Sequence, residues 1–265
     1  MPDDPHPGGE LPAGALAPRA TWRVSVDVRD LADRPLDALR LLLVADVFRR
    51  LVEDLQGGLV LLAVLENAAV PSTTTREDAA KALWIRPPLA RTCSPTEVAA
   101  LLGAPPNIVL VPAVPSNSTA GAPDPGYTLR VAAVIPPHGG TGLPPSGLPA
   151  VFDPLALRLA LLRFPYPSPA VLTTARLHRA EETLQRWRLK VADWEDMPPA
   201  PMHQHSVDAM SAALVAGLDT VTVLKLLHRM EVDLHLASGS KFATFAHLDR
   251  VLALDLCHLV GKVRR

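Results

Sequence analysis

Residues 21–65 read TWRVSVDVRDLADRPLDALRLLLVADVFRRLVEDLQGGLVLLAVL, and their pattern decides the fold. Trp22, Val24, Val26 and Val28 recur every second residue, the period of a half-buried strand. The polar break RDLADRP follows, and its Pro35 suits the first position of a helix. Leu39, Leu42, Leu43, Val47 and Leu51 then recur at helical spacing across residues 36–55. Gly57 and Gly58 end that helix, and residues 59–65 form a continuous apolar run of the kind found in buried parallel strands. Strand, helix and strand make one βαβ unit, the core of a Rossmann-type α/β fold.

Outward from this unit, residues 72–75 and the pair Ser94 and Pro95 are helix starts, the second closed by Gly103. Residues 107–114 read as another strand and residues 127–135 as a further one. The loops at 115–126 and 136–149, rich in proline, serine and glycine, are long for a compact domain. From residue 153 the period becomes helical. DPLALRLALLRF gives a first helix (153–164), PYPSP breaks it, and residues 171–194 give a long amphipathic helix. Further helices are expected from Ser206 to about Gly217, over 219–235 and over 244–260, with the SGSK at 238–241 a turn between two of them. The expected organisation is a disordered leader (1–20), a truncated Rossmann-type parallel-sheet domain (21–150) and an all-α helical bundle (151–265).

A chain of 265 residues with 48% hydrophobic composition can bury a substantial core. It has no uncharged apolar run long enough for a membrane span, and its acidic, proline-rich start fits neither a secretory nor a transit signal. The expectation is a cytoplasmic protein with no membrane partner. Cys93 and Cys257 lack partners at ligand spacing and read as reduced, mostly structural thiols. A formal net charge of −1 gives no global pull toward nucleic acid, and 28 prolines against 4% aromatic residues leave few platforms for stacking bases.

The junction DPLALRLALLRFPYPSPAVLTTARLHRAEETLQRWR resembles the segment joining the catalytic and helical domains of cysteinyl-tRNA synthetases. In those class I enzymes an Asp-Pro-x-Ala-Leu-Arg helix precedes a tyrosine-bearing turn and a Leu-x-x-Ala-x-x-x-Leu-x-Arg helix. ALVAGLDTVTVL (213–224) is similar to a later family pattern without its acidic run. VSVDVRD (24–30) and PLDALRLLLVADVFRR (35–50) align with the family's first strand and helix. The resemblance spans most of residues 24–260, with large deletions.

The departures bear on chemistry. Ser25 stands where the family has a zinc-binding cysteine, so zinc is not expected. Pro35-Leu36-Asp37-Ala38 replaces the His-Ile-Gly-His that stabilises ATP phosphates, and Asp37 brings a negative charge there. His138-Gly139-Gly140-Thr141-Gly142 stands in place of the Lys-Met-Ser-Lys-Ser loop, and no lysine occurs between Ala82 and Leu189. Losing both charge-stabilising groups removes what is often the largest catalytic term. No catalytic residue is assigned. Ser25, Asp30, Asp37, Arg40, His138, Gly139 and Gly140 mark the ancestral cleft, with ATP or an adenylate the ligand the resemblance implies and no other cofactor expected.

Other signals have plainer readings. HGGTG can cradle an anion through glycine amides, but its prolines favour a surface connection. His203 and His205 have metal-like spacing in what reads as a solvated linker. His228 and His235, seven apart, read as ordinary partly buried histidines. Arg176, Arg179, Arg186, Arg188 and Lys190 give one helix a basic side, a candidate tRNA or partner face, or an exposed face balanced by Glu181, Glu182 and Glu195. Three functions are therefore carried forward. The first is a degenerate, non-catalytic synthetase-like protein binding a nucleotide, tRNA or a protein partner. The second is an active ligase joining cysteine to tRNA or a small amine. The third is a structural interaction module whose ancestral cleft is closed.

Overall fold

The computed structural model describes residues 20–67, 74–113, 126–136 and 153–262. Strand β1 (Thr21–Asp27) turns into helix α1 (Pro35–Arg50), with Pro35 at its first position. A π-helical turn at Leu51–Leu55 extends α1, closed by a bond from the Gln56 N–H to the Leu51 carbonyl. Gly57 adopts φ +67°, and a Cβ on Gly58 would lie 2.7 Å from the Ala20 carbonyl oxygen. Only glycines let the chain turn this tightly into β2 (Leu59–Leu65) beside β1.

The chain continues through α2 (Thr74–Ala82), β3 (Ala90–Thr92), α3 (Pro95–Leu102), β4 (Ile108–Pro112) and β5 (Tyr127–Val131). Gly103 ends α3 in the left-handed conformation, as expected from its position. The five strands pair in parallel in the order β3-β2-β1-β4-β5, a Rossmann-like α/β sheet whose winding reverses between β1 and β4. Val60, Leu62 and Val64 belong to the main core with Trp22, Val24, Val26 and α1. Ala63 and Leu65 instead meet Val98 and Leu102 of α3. The period of two thus sends alternate side chains of β2 to helices on opposite faces.

Residues 127–135 do not form one strand. The chain leaves the sheet after Val131, and Val134–Ile135 (β6) pairs in parallel with Ala170–Val171 (β7) in a separate two-stranded sheet. The break falls where the Ala132 N–H donates to the Tyr166 carbonyl and the Ala132 and Ala133 carbonyls accept from Arg40. These bonds take the backbone groups that a continuing ladder would have used.

Asp153 caps α4 (Pro154–Leu162), its Oδ1 accepting from the Leu155 N–H at 2.9 Å. Every residue from Leu155 to Leu162 is buried, so α4 is a core helix enclosed on all sides. The long helix α5 (Thr174–Glu195) starts later than its periodicity suggests, because Val171 is held in β7 and Thr173 supplies the cap. Helix α6 (Gln204–Gly217) has His203 at its N-cap, and Ser206 lies inside it with its hydroxyl 2.7 Å from His203 Nδ1. Asp219 caps α7 (Thr220–Val232).

SGSK is not a turn. It forms the first turn of α8 (Ser238–Leu252), pressed so closely on residues 198–200 that a Cβ on Gly239 would meet the Pro198 carbonyl at 2.3 Å. That helix also stops earlier than expected. Ala253 is left-handed, and the Asp249 carboxylate accepts from the N–H groups of Leu254 and Leu256. Trp187 and Trp194 of α5 pack edge-on against Phe245 of α8. One apolar cluster runs from Trp22 through α1 and α4 to Leu256. Among the described residues no helix is long and apolar enough to cross a membrane. The leader, the two long loops and the HGGTG stretch lie outside the described residues, apart from Ala20, Gly126 and Pro136 at their edges.

Candidate functional site

Asp37 and Arg40 converge on one piece of backbone. The Asp37 carboxylate accepts from the Val134 N–H at 2.6 Å, and Arg40 donates to the carbonyls of Ala132 (2.7 Å), Ala133 (3.2 Å) and Pro165 (2.9 Å). Both side chains are buried. Burial pushes the Arg40 guanidinium down to about 10, with the nearby Asp37 charge opposing the shift. The pair fastens α1 to the segment between β5 and β6 and to the turn before β7.

Ser25 does not join them. It pairs in register with Ala63, whose side chain belongs to the α3 face, whereas the flanking Val24 and Val26 face α1. The sheet therefore lies between Ser25 and the Asp37–Arg40 pair. Asp30 is exposed, and its carbonyl accepts from Arg34. His138, Gly139 and Gly140 lie outside the described residues. At the carboxyl end of β1, beside the reversal in winding, Arg29 grips Asp27 with two bonds of 3.0 and 2.7 Å.

The basic side of α5 also resolves into distinct attachments. Arg188 is buried and binds Asp153 together with the carbonyls of Leu254 and Asp255. Arg186 (2.7 Å) and Lys190 (3.1 Å) share Glu231 of α7, which also accepts from the Trp187 indole at 2.8 Å. Burial alone would push the Glu231 carboxyl up, but the bonds from Arg186, Trp187 and Lys190 bring it down to about 2. Arg176 bonds back to the Val171 carbonyl and lies over the Phe164 ring. Arg179 is exposed.

Arg158, the only charged side chain within α4, was not among the sequence candidates. It is fully enclosed and donates to Asp46 of α1 and to the carbonyls of Leu83 and Leu252. Its lone charge amid apolar neighbours was the available signal. Glu231 gave none, because its arginine and tryptophan partners, Arg186 and Trp187, sit 45 and 44 residues earlier in the chain.

Two open clefts flank these elements. One, of about 600 Å³, lies between α1, α2 and the β2–β3 edge, and its arginines are matched by acids: Arg49 by Glu53, Arg86 by Glu53 and Asp54, Arg91 by Glu66 and Glu77. The other, of about 500 Å³, lies between the end of α4, the middle of α5 and α7. Cys93 and Cys257 are both free and exposed, and His228 and His235 are exposed rather than half-buried. Among the described residues no group of three or more His, Cys, Asp or Glu side chains is placed to hold a metal ion. In comparisons with known proteins, no family model and no curated protein matches the chain.

Proposed function

We propose that the protein is a non-catalytic binding protein on a shortened class I synthetase-like scaffold, nearest the cysteinyl type, with α4–α8 standing for the family's helical domain. The observation that carries this reading is the position of Asp37. It occupies the first turn of α1, where the resembling enzymes hold ATP phosphates, and its carboxylate is buried against the Val134 N–H. A phosphate approaching that helix start would meet a fixed negative charge instead of two imidazoles. Arg40 is equally engaged, held by three carbonyls.

Amino-acid-dependent exchange between ATP and pyrophosphate tests this reading. The expected outcome is no exchange above background with cysteine or with any other amino acid. Clear cysteine-dependent exchange by the purified chain would overturn it in favour of an active ligase.

A further inference from the structure

The cleft between α4, α5 and α7 has an unbalanced charge. Arg163, Arg186, Lys225, His228 and Arg229 line it, and among the described residues no acidic one does. The carboxylate beneath, Glu231, has a side chain only 1% exposed and is already shared among Arg186, Lys190, Trp187 and His228. Glu182, on α5, is exposed and does not line the cleft. Arg163 is half-buried and has no acidic partner among the described residues. Its one hydrogen-bond partner among the described residues is the neutral Thr183 hydroxyl at 2.8 Å, which itself donates to the Arg179 carbonyl. Burial, then the charges of Arg186 and Arg179, hold the Arg163 pKa below the usual arginine value.

A half-buried guanidinium kept beside two others is unfavourable unless an anion neutralises it. Arginine forks match phosphate oxygens in pairs, and lysine adds a mobile charge. Trp187, Val221 and Leu224 contribute apolar wall, and a cleft of about 500 Å³ is of the size that receives small molecules. Four permanent cations line it against one buried carboxylate, so a single negative charge would leave it unbalanced.

We propose that this cleft binds a small organic phosphate carrying at least two negative charges, with Arg163 and Arg186 gripping phosphate oxygens and Lys225 and Arg229 closing over them. The site is separate from the Asp37 region, and the inference does not depend on the synthetase likeness.

Calorimetric titration of the full chain with pyrophosphate and with ADP, at low and at physiological ionic strength, tests this. Both ligands are expected to bind, more tightly at low salt. The double variant K225Q/R229Q changes two exposed side chains and should weaken binding about tenfold or more without moving the unfolding midpoint. Arg163→Met should weaken it further. Lys81→Gln, in the other cleft, should change nothing. Failure of both ligands to bind would overturn the proposal, as would binding unchanged in K225Q/R229Q. Salt-sensitive tRNA binding that depends on Lys225 and Arg229, with no affinity for pyrophosphate or ADP, would also overturn it and assign the surface to nucleic acid.

Discussion

Arg158 Nη2 lies 2.7 Å from Asp46 Oδ2, and the two side chains are 0% and 1% exposed. Asp46 also accepts from Arg50 Nε and the Arg86 N–H, while Arg158 reaches the Leu83 and Leu252 carbonyls. Removing Asp46 leaves the buried Arg158 charge without its counterpart, and removing Arg158 leaves the buried Asp46 with Arg50 alone as its ion-pair partner among the described residues. Asp46→Asn or Arg158→Met should each cost about 3–5 kcal/mol in urea unfolding. The double variant should cost less than the sum, since the two residues act as a unit. Strict additivity would show that the pair is not coupled.

Arg40→Met should destabilise by about 2–3 kcal/mol, because the Ala132 oxygen loses its 2.7 Å bond inside the core. The damage should be local first. Amide exchange at Val134, Ala170 and Leu172, the small-sheet positions that depend on this anchorage, should accelerate more than exchange in β1 and β2.

Glu231 makes stability depend on pH. Its folded-state pKa of about 2 lies below the ordinary 4.5, so its contribution is fully present above the unfolded value and disappears as pH falls through the folded one. Glu231→Gln should therefore be less stable than the parent at pH 7. The gap should narrow between about pH 4.5 and pH 2. A gap independent of pH across that window would show that the Glu231 charge contributes nothing.

Two glycines at helix ends should respond oppositely to alanine. Gly239→Ala would drive a Cβ into the Pro198 carbonyl and should cost about 1–3 kcal/mol. Gly217→Ala, at the last position of α6 with nothing within 4 Å, should be neutral or stabilising by about 0.5 kcal/mol. Thermal unfolding of both variants distinguishes packing from backbone entropy.

The parallel sheet was legible because its determinants are local. Alternation in β1, the apolar run of β2 and the Gly57–Gly58 pair each signal structure within a few residues. The start of α8 was not, because SGSK carries turn chemistry and Ala237 supplies no side-chain cap. Its packing on residues 198–200 prevails over local preference. The roles of the arginines were hidden for a related reason. Arg40, Arg158 and Arg188 bind backbone carbonyls 66 to 125 residues away, and a carbonyl has no residue signature. Arg186 and Arg188, two residues apart in one basic run, differ because one reaches Glu231 and the other is buried on Asp153. An R186A/R188A variant would therefore test folding as much as binding.

The carbonyls of Leu252, Leu254 and Asp255 have a consequence for the order in which the protein is made. Arg158 and Arg188 draw on them, and Arg50 draws on the Arg250 carbonyl. A ribosome delivers α1, α4 and α5 well before these acceptors exist. Until residues 250–255 emerge, these three arginines have only their earlier partners, among them Asp46 for Arg50 and Arg158 and Asp153 for Arg188. That stretch, made after every strand of the five-stranded sheet, supplies the last of these acceptors.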